Sequence, residues 1–512
     1  MRHLALKALL ISSGLWCTSV CFAQNRGNTD AALGGFLNPK AEIPPVAKQN
    51  RISGGESFPP LPLPATPLRR TERKKEPAPP ALVGKINLNI IDGKQVAAYP
   101  SVTIDIENLM SWTNNQLQLH YRYIETDLSK FSYSPSELPV LYITGWTPLP
   151  ALSERTKQNI REYLLAGGTL VVHANCGRPE FNDSFLKLQG ELFPDRPMGW
   201  LPPDHAIYSC LHRIDTMKVR DGEGPWKQLG RENLIKGMNI GCRAAIIYSP
   251  IDISWGWDAN AKPIKGGILF DQNDSLKLGA NMLTYVLANY EYARAFEITK
   301  IYHQADMATR DQLVVAQVMH AGDWDPTPHG LPNLMKFIDS NSTLNVQFKR
   351  QTVSLSDVDI LKQPILYMTG LREFKLTDKE TKHLADYLSA GGILFGEAAM
   401  GSQQFDASFR AMVRQALGTD TKFETLSPDH PIFNNVFKLR TVDYTSLVKA
   451  TDPTLKNPLL EVIMKDGVPV VIYSHFSLSN GWEQLPNPYA KAYEDEDSLK
   501  LGTNILVYAL TH

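Results

Sequence analysis

The sequence predicts two tandem, doubly wound α/β domains behind a disordered N-terminal region. A strand–helix–strand unit is written twice. Pro139-Val140-Leu141-Tyr142-Ile143-Thr144-Gly145 leads to Ala166-Gly167-Gly168 and Thr169-Leu170-Val171-Val172. Pro364-Ile365-Leu366-Tyr367-Met368-Thr369-Gly370 leads to Ala390-Gly391-Gly392 and Ile393-Leu394-Phe395-Gly396. The offset is 370 − 145 = 225 at the first glycine and 391 − 167 = 224 at the second, which marks a duplication. The strands are continuous apolar runs, as expected where helices cover both faces of a parallel sheet.

At the N-terminus, Arg2 and Lys7 precede an apolar run from Ala8 to Val20, and Cys21-Phe22-Ala23 ends in small residues. This reads as a signal peptide over residues 1–23, cut after Ala23. The run is broken by Ser12, Ser13 and Gly14 and falls short of the roughly 20 residues of a membrane span. The expectation is an extracytoplasmic protein, periplasmic or secreted, with no transmembrane segment in the mature chain. Residues 24–82 read as a Pro-rich disordered linker. Pro59-Pro60-Leu61-Pro62-Leu63-Pro64 favours polyproline geometry, and the basic run from Arg69 to Lys75 reads as a solvated spacer.

Hydrophobic residues make up 43% of the 512, and the formal net charge is −1. That balance offers no field for nucleic acid. Two of the five cysteines fall in the signal segment. A disulfide within Cys176, Cys210 and Cys242 is open in an oxidising compartment, with the pairing undetermined.

The first domain is expected over residues 83–294. Ile86-Asn87-Leu88-Asn89-Ile90 alternates like a strand, and Ile106, Leu109, Met110 and Trp112 mark a helix. Leu117 to Tyr123 reads as a second strand. Ser153 caps a helix whose Ile160, Tyr163 and Leu164 form one buried stripe. Gly167 suits the left-handed C-cap. Strand Thr169–His173 ends in Ala174-Asn175-Cys176-Gly177, at the edge where such sheets bind ligands. Pro203-Asp204-His205-Ala206-Ile207, Ala245-Ile246-Ile247-Tyr248-Ser249 and a last helix from Asp274-Ser275 follow.

The second domain is expected over residues 295–512. Gln312 to Met319 is its first strand, ending at Gly322-Asp323-Trp324, and Leu331 to Phe337 is a helix. Thr377 with Glu380 forms a capping box. Pro428-Asp429-His430-Pro431-Ile432 echoes Pro203-Asp204-His205, Gly481-Trp482 echoes Gly256-Trp257, and Asp497-Ser498-Leu499-Lys500-Leu501-Gly502 with Asn504 echoes Asp274 to Gly279 with Asn281. A mid-helix glycine costs about 1 kcal/mol against alanine, so its presence in both copies implies close packing.

Gly322-Asp323-Trp324, the strand–Thr-Gly turn, the Gly-Gly pair, Asp-His-Pro-Ile, Tyr-Ser…Gly-Trp and Lys-Leu-Gly-x-Asn together resemble the bacterial family called domain of unknown function 4159. The second repeat carries the whole set. The first has Ile91-Asp92-Gly93 near the place of Gly-Asp-Trp, and Ala206 in place of proline. The resemblance implies a class I glutamine amidotransferase-like domain of flavodoxin-like topology, in two copies, and is similar to ThuA-like proteins in Asp-His-Pro-Ile. It implies no activity.

Cys176 is a weak catalytic candidate, because amidotransferase nucleophiles sit on a strand-to-helix turn. Its counterpart is Met400, no His-x-Glu pair is present, and the turn lacks Gly-x-Cys-x-Gly. His430 and Glu397 are further weak candidates. Asp204-His205 and Asp429-His430 offer a base and a carboxylate, but neighbours in extended chain point apart. His173, Glu397, His320, Asp323 and His329 are available to a metal without ligand spacing, so no metal and no cofactor is assigned. For ligand binding the assignment is Gly322, Asp323, Trp324, Asp429, His430 and Trp482, with Trp255 and Trp257 at the same edge. The expected function is a non-catalytic binding or scaffold protein of the cell envelope, meeting an envelope protein or a carbohydrate. The alternative is a hydrolase or amidotransferase-like enzyme acting on an amide or sugar derivative through the second domain.

Overall fold

The computed structural model describes residues 78–512 except 92–93, 96–103, 132, 259–265, 296–311, 342–346, 466, 485–486 and 512. The expected signal peptide and most of the expected linker lie outside these residues, as do Asp92 and Gly93.

The first domain contains β1 (Ala81–Ile86), α1 (Asp105–Leu117), β2 (Arg122–Thr126), β3 (Val140–Gly145), α2 (Glu154–Leu165), β4 (Thr169–Ala174) and α3 (Pro179–Leu192). It continues with β5 (Gly199–Trp200), β6 (Thr216–Asp221), β7 (Lys227–Gly230), β8 (Lys236–Ile240), β9 (Arg243–Ser249), β10 (Ile268–Phe270) and α4 (Gln272–Ala295). The second domain contains β11 (Gln312–Met319), α5 (Gly330–Asn341), β12 (Gln347–Ser354), β13 (Ile365–Gly370), α6 (Asp378–Ser389), β14 (Ile393–Ala398) and α7 (Gln403–Leu417). After these come β15 (Glu424–Thr425), α8 (Ser446–Thr451), β16 (Glu461–Lys465), β17 (Val468–Ser474), α9 (Ser479–Glu483) and α10 (Asp495–Thr511).

Each domain is built on a seven-stranded sheet, and the two sheets share one order: β2-β1-β3-β4-β9-β8-β5 and β12-β11-β13-β14-β17-β16-β15. The first five strands in each order run parallel; the sixth is antiparallel to both of its neighbours, so the seventh runs with the first five. This is the flavodoxin-like order, with a hairpin strand added before the fifth parallel strand. The first domain also carries a small sheet, β10-β6-β7. Alternate residues of one strand feed opposite cores. Val140 and Tyr142 pack with Leu109 of α1 and Leu278 of α4, whereas Leu141 and Ile143 pack with Tyr163 of α2 and Phe185 of α3. Helices on both faces explain why these strands read as unbroken apolar runs.

Ser153 accepts from the Thr156 N–H, and Thr377 with Glu380 forms the expected capping box. Both following helices end on a glycine in the left-handed region, Gly167 at φ +113° and Gly391 at φ +90°. The second glycine of each pair answers a different need. A Cβ on Gly168 or Gly392 would lie 2.2 or 2.3 Å from the ring of Tyr163 or Tyr387.

Three elements differ from the sequence reading. The first strand is Ala81–Ile86 rather than Ile86 to Ile90. Leu82 and Val83 are buried in it, and the Asn89 N–H turns back onto Asn87 Oδ1 at 2.9 Å. Leu117 belongs to α1, and β2 starts only at Arg122. Asn114 brackets Tyr121 between them, donating to its carbonyl at 2.7 Å and accepting its N–H at 3.2 Å. The last helix of the first domain starts at Gln272, so Asp274 does not open it. Its carboxylate instead accepts the Lys218 N–H of β6 at 2.8 Å, and Asp497 accepts the Asp443 N–H at 2.6 Å in the second copy.

Candidate functional site at the carboxyl edges

In the first domain the carboxyl ends of β1, β3 and β4 hold a buried polar chain. Lys85 Nζ meets Asp105 at 2.6 Å, and the Tyr142 hydroxyl donates to Asp105 at 2.8 Å. The same hydroxyl lies 2.7 Å from His173 Nε2. A hydroxyl has one proton, so with Asp105 receiving it, His173 Nε2 carries the hydrogen and donates. His173 Nδ1 then faces Asp252 at 3.7 Å. Burial holds His173 down at about 4 and pushes Asp252 up to about 6. The web continues through Thr144, which donates to Asn175 Oδ1 at 2.6 Å, while Asn175 Nδ2 is buried without a hydrogen-bond partner.

Cys176 sits at the tip of this edge with φ 55°, and Met400 has the same φ in the second copy. The strained turn on which a nucleophile would project is therefore kept in both domains. The thiol is only 2% exposed, and burial raises it to about 11. Its own N–H is held by Asp252 Oδ2 at 2.6 Å.

The second domain places Glu397 where the first has His173. The carboxylate is fully buried and accepts five hydrogen bonds: from Tyr367 at 3.0 Å, Thr369 at 2.5 Å, Ser477 at 3.1 Å, and the Leu478 and Ser479 N–H groups at 2.7 and 3.3 Å. Beside it, Glu483 holds His329 twice. The backbone N–H of His329 donates to Oε2 at 2.8 Å, and Nδ1 lies 2.9 Å from Oε1. The His329 side chain is 49% exposed and that of Glu483 6%. The pair forms an imidazole oriented by a buried carboxylate, assembled from residues 154 apart in the chain.

Ligands in this fold enter at the switch point between the first and third strands. In the second domain that point is the contact of Gly322 with Leu371 and Arg372, whose N–H groups both donate to Gly322 O at 3.0 Å. Asp323 follows at φ 60°, a left-handed conformation that aspartate tolerates. Residues 79–512 form one compact unit, and the first domain lies against this crevice. Asn239 donates to Asp323 at 3.2 Å, and Arg372 Nη2 donates to Gly237 O at 2.7 Å. The Cys242 thiol faces Pro326 O at 3.7 Å, Asn487 donates to Cys242 O at 3.3 Å, and Tyr285 stacks on Tyr489 at 5.3 Å. Burial, then the charges of Glu483, Glu397 and Asp323, hold the Cys242 thiol well above its ordinary range. The β8–β9 hairpin is thus seated on the carboxyl edge of the second domain.

The family described as Domain of unknown function (DUF4159) matches residues 92–287 and again residues 314–510. The chain belongs to this family. No curated protein matches the sequence. Among solved structures, alpha-L-fucosidase isoenzyme 2 from Paenibacillus thiaminolyticus is 12% identical over 41% of this chain and 33% of that chain, at a TM-score of 0.18. A protein described as a phosphosugar isomerase, from Silicibacter pomeroyi DSS-3, is 10% identical over 62% of this chain and 75% of that chain, at a TM-score of 0.15. The chain spans about a third of the length of the fucosidase. Neither likeness carries an argument about this protein.

The DUF4159 motifs can be followed residue by residue into the structure. Asn281 donates to Ile207 O and His212 O at 2.8 and 2.7 Å, tying α4 to the segment after Asp204-His205. Asn504 does the same through Phe437 O at 2.8 Å. In each Asp-His pair it is the histidine that caps the next turn: His205 Nδ1 accepts from Ile207 and His430 Nδ1 from Ile432. Asp204 and Asp429 are exposed. Trp257 and Trp482 are core residues, donating to Ser275 O at 2.9 Å and Ser498 O at 2.7 Å. They explain the mid-helix glycines, since a Cβ on Gly279 or Gly502 would come within 2.9 or 2.7 Å of the indole.

The residues read from sequence as ligand-binding do not share one place. Gly322 and Asp323 line the domain interface. Trp324 lies under the Arg350 guanidinium at 5.8 Å, and its carbonyl accepts from Gln317 at 2.9 Å. Trp482 is fully buried. His430 packs on Tyr508, 13 residues down α10 from Asp495 and so roughly 20 Å from the carboxyl edge. Asp323, Glu397 and His430 therefore do not converge. No group of three metal-ligating side chains occurs among the described residues. Cys176, Cys210 and Cys242 are unpaired. Sequence reading missed Asp105, Asp252 and Glu483. Tyr142 with Tyr367 and Thr144 with Thr369 were legible, because both copies repeat them, and they hold the residue at position 173 or 397.

Proposed function

We propose that this DUF4159 protein is a non-catalytic binding or scaffold component of the cell envelope, exported by its N-terminal segment. One observation carries the reading. The polar residues that the two copies share are used to hold the domain's own backbone and buried side chains, while the positions suited to chemistry differ between copies: His173 against Glu397, Asn175 against Ala399, Cys176 against Met400. The second domain's crevice is also occupied by the first domain. The test is saturable co-sedimentation of the full chain with purified envelope material, in wild type and in Cys176→Ala and His430→Ala. Equal retention supports the reading. Ammonia release from glutamine by wild type, lost in Cys176→Ala, would overturn it.

The enzymatic alternative rests on His329 and Glu483. A half-exposed imidazole with a buried carboxylate on Nδ1 is the arrangement of a general base and its orienting partner. This reading expects turnover of an amide or glycoside by wild type that drops at least about a hundredfold in His329→Ala, the usual worth of a positioned base. Equal rates in both proteins would remove it.

A further inference from the structure

The small sheet β10-β6-β7 belongs to the first domain alone among the described residues. It lies at the carboxyl edge, since a Cβ on Gly177 would come within 3.2 Å of the Ile268 Cβ of β10. On β6, Arg220 pairs across to Leu269, which is fully buried. The Arg220 guanidinium lies over Trp226 at 4.4 Å and Trp255 at 5.7 Å. Among the described residues it has no ion-pair partner, and its Nε is buried without a hydrogen bond. One residue past Gly177, Arg178 lies over Trp146 at 5.5 Å and also lacks an ion pair among the described residues. Two unpaired guanidinium groups with aromatic cover thus stand at one edge of one domain.

Aromatic rings that cover the faces of a guanidinium leave its in-plane N–H groups as the donors to be met. That fork matches a carboxylate in bidentate geometry. Trp226 is 39% exposed and offers an open ring. Indole faces pack against the apolar face of a pyranose, and the arginine edge takes an acid substituent. A phosphate backbone fits poorly, because Asp221 and Glu223 flank the patch and the chain's net charge is −1. A neutral sugar would leave the guanidinium unmet. We propose that Arg220, Trp226 and Trp255, with Arg178 and Trp146, bind a carboxylated sugar chain. The proposal rests on the binding reading above and gives it a site and a ligand class.

The test is titration of the full chain with tetragalacturonate, followed by tryptophan fluorescence and calorimetry. The expected result is saturable binding that weakens about tenfold or more in Arg220→Gln, the worth of one charge-assisted pair. Trp226→Ala loses a similar amount and part of the fluorescence change. The uncharged tetrasaccharide of matching length binds about tenfold more weakly than the acid, for the same reason. Arg220→Lys keeps the charge and an unstrained fold but lacks the fork, so it binds more weakly than wild type. Wild-type affinity in both Arg220→Lys and Trp226→Ala overturns the proposal. So does equal affinity for the uncharged sugar, or tighter binding of oligothymidylate or of polyglutamate. Those failures leave envelope co-sedimentation untouched, whereas enzymatic turnover defeats the broader reading and leaves this titration intact.

Discussion

Glu397 is a carboxylate with no exposed surface, and its five donors make it a fixed part of the second domain. Glu397→Ala strands buried donors and opens a void, so the expected loss is about 3 kcal/mol or more, read as a fall in melting temperature. His173, His205 and His320 are each held at about 4 by burial, against an ordinary value of 6.5. The unfolded chain therefore binds protons that the folded chain refuses. Stability falls as pH drops from about 6.5 towards 4, and three histidines act in that sense. Asp252, raised to about 6, acts in the opposite sense and opposes part of the loss. A melting temperature that falls from pH 7 to pH 5, and falls less in His205→Gln, is the expected result. Cys176 should react slowly with a thiol reagent at pH 8, because its thiol is buried and raised to about 11. Labelling of Cys176 in the native protein at the rate seen in denaturant would contradict this.

At the scale of elements, the duplicated unit is set by local chemistry. Thr377→Ala removes the side-chain half of the capping box, leaving only the residue 377 N–H on Glu380, and should cost about 1 kcal/mol. Gly502→Ala places a methyl group 2.7 Å from Trp482, an overpacking expected to cost about 1–3 kcal/mol. Denaturation curves of the two variants check both values. The helix stripes, caps and Gly-Gly turns were legible because each depends on residues within one turn of one another. The extent of the first strand was not legible, because Leu82 and Val83 are strand residues only through the helices that cover them. Asp274 was legible as important but not in its role, since its partner is the backbone of Lys218 on β6.

At the scale of the molecule, the domains meet head to tail. The β8–β9 hairpin of the first is set on the carboxyl edge of the second, through Gly237 and Asn239 of β8 and Cys242 of the turn. Burial raises Asp323 and lowers Arg372, and each charge opposes the shift of the other. Arg372→Ala removes the hydrogen bond to Gly237 and leaves Asp323 without its main cation. Calorimetry of this variant should resolve two unfolding transitions, with the second domain melting first. A single transition at the wild-type temperature would show that the contact does not couple the domains.

The sequence by itself determined the duplication, the doubly wound architecture and the capped helices, because periodicity and caps are local and the second copy checks the first. It also showed that the two copies diverge at positions 173, 175 and 176. Only the tertiary structure decided what the polar residues do. Whether Trp482 meets a ligand or a helix, whether Asp323 faces solvent or Asn239, and whether His329 finds Glu483 depend on side chains brought together from distant strands. Their meeting is fixed by sheet order and domain packing, which no local pattern encodes.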